Sequence, residues 1–129
     1  MLPDLIGEIK MLVYGFIGDE SGFLEIENDL HSKQKVVGGN IDVIRLTEEI
    51  DLIVNDEYLL NGSEPRLFIF VDGEIHNIVM GDCFVCRHDG KGNFTDIQRE
   101  DITILEEYLL HIDCEELKLL AALYLYSLT

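Results

Sequence analysis

Cys83 and Cys86 have the residue type and spacing for chemistry, because a Cys-x-x-Cys pair can hold zinc or exchange with a disulfide. Zinc needs two more ligands, for which Cys114, His76 and His88 are available. Phe84-Val85 makes a poor turn between the two thiols, and the run Cys83-Phe-Val-Cys-Arg87 reads as a strand. On a strand a spacing of three points the side chains to opposite faces. No helix N-terminus stands nearby to lower a thiol pKa. The expectation is a pair of buried structural cysteines, with no metal and no cofactor.

The other constellations are weaker. His111 has Glu107 four residues before it and Glu115 four residues after, a spacing that can hold a divalent ion on one continuous helix. A helix boundary between His111 and Glu115 separates them, which leaves a solvated acidic face. Paired carboxylates (Glu48-Glu49, Asp56-Glu57, Glu106-Glu107) are too abundant to mark an acid–base couple. Asp89-Gly-Lys-Gly-Asn93 lacks the terminal bidentate Glu of a calcium loop. No nucleophile elbow, phosphate-binding Gly-Lys loop or His-Glu-x-x-His is present. The residues point away from an enzyme.

Charge points elsewhere. Twenty-six Asp and Glu against nine Lys and Arg give a net −17, which repels nucleic acid and anionic membranes. The acidic residues are densest from Asp96 to Glu116, where Arg99 is the only cation. Carboxylates along a helix can occupy a groove built for phosphates, so Asp96, Glu100, Asp101, Glu106, Glu107, Glu115 and Glu116 are the expected partner-binding residues. Their expected partner is a protein with a basic surface. The alternatives are a small-ligand module using Arg45, Arg66 and Arg87, for a nucleotide or signal molecule, or a structural homo-oligomer. Three cysteines, an odd number, and an N-terminus without a cationic, apolar leader pattern suit a reducing cytoplasm. No apolar run has the roughly 18 residues of a membrane helix.

One domain of 129 residues is long enough to bury a core without staples. Up to about residue 98 short apolar runs alternate with turns. Met11–Ile17 and Phe23–Ile26 form one hairpin, and Ile41–Leu46 and Ile50–Val54 a second. Leu67–Val71 and Ile75–Val79 pair around Asp72-Gly73, while Cys83–Arg87 and Phe94–Ile97 pair around Asp89–Gly92. Asp29 to Val37 allows a helical turn or two, ended by Gly38-Gly39 with positive φ. Met11 offers a second start, so residues 1–10 are expected to be a weakly ordered extension or a helical turn.

Residues 98–128 read as helical. Ile102, Leu105, Leu109 and Ile112 recur at spacings of three and four on one helix face. Asp113 with Glu116 fits a capping box that opens a last helix, apolar nearly all round. Leu117, Leu120, Ala121, Tyr124 and Leu128 line one side of it, assigned to a dimer interface. Leu119, Ala122, Leu123 and Tyr126 line the other. The fold class is α+β: antiparallel hairpins forming a twisted sheet, followed by two C-terminal helices.

Four segments recur in a familiar order: Val36-Val-Gly-Gly-Asn-Ile-Asp-Val-Ile44, Leu52-Ile-Val-Asn-Asp-Glu57, Leu60-Asn-Gly62 and Ile78-Val-Met-Gly-Asp82. Over roughly residues 10 to 112 the chain resembles a family known as domain of unknown function 3846. That family's pattern has an aromatic residue where Asn40 stands and a glycine where Tyr58 stands. The resemblance implies a compact α+β fold and an origin in a phage, mobile element or Gram-positive bacterium. It implies no activity and no catalytic residues. Small acidic proteins of such elements often act by binding host machinery. An inhibitor of a nucleic-acid-handling defence enzyme, of anti-CRISPR or anti-restriction type, is the sharpest expectation.

Overall fold

Hairpins build most of the molecule, and their turn chemistry is visible in the backbone. The computed structural model describes residues 10–59 and 63–128, so residues 1–9 of the expected N-terminal extension and the Leu60-Asn-Gly62 segment lie outside the described residues, while Lys10, the last residue of that extension, opens a strand instead. Among these, β1 (Lys10–Ile17) and β2 (Glu20–Glu27) pair across the two-residue turn Gly18-Asp19. After α1 (Leu30–Val37) come β3 (Ile41–Arg45) and β4 (Ile50–Asn55), then β5 (Pro65–Val71) and β6 (Glu74–Met80). Asp72 and Gly73 between the last two have φ of 53° and 80°, the pair of positive angles that a type I′ hairpin turn demands. β7 (Cys83–His88) and β8 (Phe94–Thr95) follow, then α2 (Asp101–Tyr108), β9 (Leu109–His111) and α3 (Glu115–Ser127).

The strands form two antiparallel sheets rather than the single sheet expected. One has the order β2-β1-β7-β4-β3, with β8 added on β7, and the other is β6-β5-β9. The period-2 alternation of β4 explains how they stack. Ile50, Leu52 and Val54 face the smaller sheet, where they meet Leu67, Ile69 and Val79 in a shared core. Ile53 faces the other way and joins Met11, Val13, Phe84 and Cys86 under Val37 of α1. The outer face of the smaller sheet, Phe68 and Ile78, is covered by Leu117, Ala121 and Tyr124 of α3. Four layers result, α1, large sheet, small sheet and α3, with Leu105 of α2 entering the core between the sheets. Each large side chain so buried contributes about 1.5–3 kcal/mol.

α1 is fixed at both ends. Asp29 accepts the Ser32 N–H at 2.7 Å as an N-cap, and Gly38 closes the helix in the left-handed conformation at φ 79°. Gly39 is required for space: a Cβ there would lie 2.8 Å from Asn55 Nδ2. That nitrogen donates to the Val37 carbonyl at 3.2 Å, clasping the end of α1 to β4.

The C-terminal part departs from expectation in one element. The helix carrying Ile102 and Leu105 ends at Tyr108, and Leu109–His111 pair with Ile69–Leu67 of β5 as a strand. Leu109 and Ile112 are buried as expected, but Leu109 from a strand and Ile112 just beyond it, where its N–H donates to the Arg66 carbonyl at 2.9 Å. The unpaired edge of β5 accounts for it, since its outward amides and carbonyls need partners. α3 opens at Cys114 without a side-chain cap rather than at an Asp113 capping box.

Candidate functional site

The cysteine pair has the geometry read from its spacing. Cys83 packs in the core between the sheets and Cys86 in the core under α1, on opposite faces of β7, both fully buried. Burial first, and the neighbouring Asp51 second, push the Cys86 thiol up to about 12, and burial raises Cys83 as well. Cys114 is exposed. Among the described residues, no three His, Cys, Asp or Glu side chains converge as a metal-binding group. Protein purified without chelator is expected to contain no stoichiometric zinc by elemental analysis. Zinc that disappears in a C83S/C86S variant would overturn the assignment of these thiols to the two cores.

His111 is not part of a solvated acidic helix face. It sits on β9, donates from Nε2 to the Gly18 carbonyl at 2.9 Å and stacks edge-on against Phe16 at 5.3 Å. Asp113, at 4.0 Å from Nδ1, is its nearest carboxylate partner. The contact ties the small sheet to the β1–β2 turn.

The seven carboxylates expected to bind a partner divide. Asp101, 1 % exposed, is unavailable: Arg87 donates to it from Nε at 2.8 Å and Nη2 at 2.7 Å, and the Gln98 N–H donates at 2.8 Å. The guanidinium hydrogen bonds hold its carboxyl below the usual range. Asp96 is exposed but accepts the Leu12 N–H at 2.8 Å. Glu100, Glu106, Glu107, Glu115 and Glu116 are exposed, the first three at or on α2 and the last two in the first turn of α3. Sequence reading missed Glu20, Glu25 and Glu27, all on β2, two of them exposed and Glu27 partly so. Glu25 and Glu27, two apart in the run Leu24-Glu-Ile-Glu27, carry the alternation that could have found them; Glu20 stands outside it.

Most of the cations are engaged within the chain. Lys10 pairs with Glu27, Arg45 with Asp51, Arg66 with Asp82, Arg87 with Asp101 and Glu49, and Lys118 with Asp19. Lys33 is buried over the Phe94 ring and donates to Asn28 Oδ1 at 2.7 Å. Arg45, Arg66 and Arg87, the basis of the small-ligand alternative, are thus each engaged by a carboxylate. Asp51 also lies 2.8 Å from His88 Nδ1, in a part-buried pair between β4 and β7.

The assignment of α3 faces needs correction. Leu117, Ala121 and Tyr124, expected at a dimer interface, pack on the chain's own small sheet. Leu120 and Leu128 of that set are exposed, and with Leu119, Leu123 and Tyr126 they form an apolar surface 45–79 % exposed.

Two of the recurring motif segments meet in space. Gly38, Gly39 and Asn40 at the end of α1 and Asn55, Asp56 and Glu57 at the end of β4 line a cavity of about 390 Å³. Asn55 organises it, accepting the Glu57 N–H at 2.8 Å while it donates to Val37. The Asp56 N–H donates to the Asn40 carbonyl at 2.8 Å. The motif therefore records a helix-to-strand clasp. No curated protein and no solved structure matches the chain. A protein-family model described as "Domain of unknown function (DUF3846)" matches residues 17–110, leaving α3 and most of β1 outside the match. With nearly three quarters of its length so matched, the chain belongs to the DUF3846 family.

Proposed function

We propose that the chain is a non-catalytic binding module that docks its carboxylate-rich surface on a basic surface of another protein. One observation carries the reading: five of the nine Lys and Arg are tied to carboxylates of the chain itself, so the field presented outward is that of unpaired acids. A nucleic-acid-handling enzyme has the complementary surface, a groove lined with Lys and Arg for phosphates. Inhibition of such a host defence enzyme in the bacterial cytoplasm, by a phage or mobile-element protein, is the specific form of the proposal. The buried Cys83 and Cys86 thiols, raised in pKa, are poor nucleophiles, which favours a binding role.

The test is a variant with Glu106, Glu107, Glu115 and Glu116 changed to Lys. Proteins that the wild type retains from a host lysate at low salt should be released at high salt, and the variant should retain none of them. Association should slow by tenfold or more, because surface charges act first on the encounter. Retention unaffected by salt and by the four substitutions would end the proposal. A second reading, a homo-oligomer, is favoured by the outward surface of α3, which bears no charge from Leu119 onward. Two molecules of −17 meet with least repulsion on such a surface.

A further inference from the structure

β2 is an edge strand of the large sheet. It runs eight residues in unbroken register with β1 and contains no proline. Ile17 and Glu20 flank a two-residue turn and so form a hydrogen-bonded pair, from which the alternation along the hairpin follows. Glu20, Gly22, Leu24 and Ile26 turn their N–H and C=O groups to β1, while Ser21, Phe23 and Glu25 turn theirs outward. Leu12, opposite Glu25, agrees with this phase: its N–H donates to Asp96 and its carbonyl accepts from Ile97, both away from β2. Among the described residues the outward groups of Ser21, Phe23 and Glu25 meet no backbone partner, whereas the next outward carbonyl, Glu27, is taken by Asp29.

Beside this edge runs a groove of about 540 Å³. Four successive β2 residues, Leu24 to Glu27, border it, and Ser32, Lys35 and Val36 of α1 form its opposite wall. Leu24, Ile26, Ile17 and Val36 give it an apolar floor. On the other face of β2 stand Phe23, Glu25 and Glu27.

We infer that β2 is a strand-addition site for an extended peptide of another protein, one that alternates apolar and basic residues. The peptide's backbone pairs with Ser21, Phe23 and Glu25. Its apolar side chains enter the groove against Leu24 and Ile26, and its basic ones lie beside Glu25 and Glu27 on the opposite face. A second copy is the poorer occupant, since it would crowd Glu20, Glu25 and Glu27 of two chains of net −17 into one short edge contact. The inference rests on the docking reading above and names the edge and the backbone mode by which a basic partner binds.

A labelled peptide of alternating Lys and Val, and one of equal composition with lysines and valines in separate blocks, test it by fluorescence anisotropy. The alternating peptide should bind at least about tenfold tighter, the equivalent of 1.4 kcal/mol. Glu25→Pro removes an outward N–H while sparing the pairing with β1, and it should abolish that preference; Glu25→Gln should keep most of it. Amide exchange in the wild type should slow at Ser21, Phe23 and Glu25 when the alternating peptide is added, a readout that stands even if the proline variant does not fold. Equal affinity for both peptides, with Glu25→Pro unaffected, overturns strand addition while leaving charge-driven docking in place. Binding of neither peptide, or unchanged exchange at those three amides, also overturns it, and the charge-reversal variant then judges the docking reading separately.

Discussion

Replacing Arg87 by Met is expected to lower the unfolding free energy by about 3 kcal/mol at neutral pH, the lower end for breaking a buried ion pair. Arg87 reaches from β7 into the start of α2, where it makes two hydrogen bonds to Asp101. Its contact with Glu49, on the exposed loop before β4, contributes little, because that carboxylate is solvated. Removing the guanidinium strands the Asp101 carboxylate in a site only 1 % exposed, with the Gln98 N–H as its remaining donor. The pH dependence gives the mechanism a signature. The folded-state pKa of Asp101 is depressed, so its contribution is present above the unfolded value of about 4 and is lost as pH falls through the folded value. In the variant the stranded carboxyl protonates more readily, so the deficit between the two proteins should shrink as pH drops below about 4. Urea unfolding at a series of pH values measures it. The double variant R87M/D101L should recover much of the loss, since it removes the orphaned charge and not only the pair. A deficit constant with pH, or a double variant worse than R87M alone, would place the effect in lost packing of the Arg87 stem instead.

The hairpins were legible because their signals are local. Asp72-Gly73 demands positive φ at both positions, and the alternation of Leu67–Val71 and Ile75–Val79 then has one register that buries a full face. Division into two sheets was not legible, since it depends on which strands become neighbours, and nothing local in Ile50–Val54 says that β7 rather than β5 lies beside it. β9 shows the same limit in a sharper form. Ile102, Leu105, Leu109 and Ile112 fit a helix spacing throughout, yet the last two are buried on and just after a strand once β5 offers its edge.

At the candidate surface, residue type was readable and exposure was not. Asp101 looks like its neighbours Glu100 and Glu106 in sequence, and only the placement of Arg87 fourteen positions earlier withdraws it from the surface. The opposite faces of Cys83 and Cys86 followed from strand period alone, and so were correct without any tertiary information. The conformational role expected of Gly38-Gly39 is filled by Gly38; the reason for Gly39 is the Asn55 side chain, a contact across sixteen positions that no local pattern announces.

Ala121→Glu and Leu123→Glu place the same charge two residues apart on α3 and are expected to differ by several kcal/mol. Ala121 is fully buried against Phe68 and Ile78, so Glu there must force its stem into a filled layer and leave a carboxylate without a partner. A loss of about 3–5 kcal/mol is expected, a large share of the 5–15 kcal/mol that holds a domain of this kind together. Ala121→Leu, which overpacks without adding charge, should cost about 1–3 kcal/mol and serves if the Glu variant does not fold. Leu123 is 58 % exposed, and Glu there should change the stability of the monomer by no more than about 0.5 kcal/mol. Its effect should appear in association instead. If α3 joins two copies through Leu119, Leu123 and Tyr126, Leu123→Glu sets two carboxylates against each other in an apolar contact, and light scattering at high protein concentration should shift from dimer toward monomer. Urea unfolding and light scattering on the same preparations separate the two faces. Equal destabilisation by both Glu substitutions would mean that α3 is enclosed on both sides within one chain. A wild type that scatters as a monomer throughout would leave the outward face without a second copy, and the docking of a different protein would then be its remaining use.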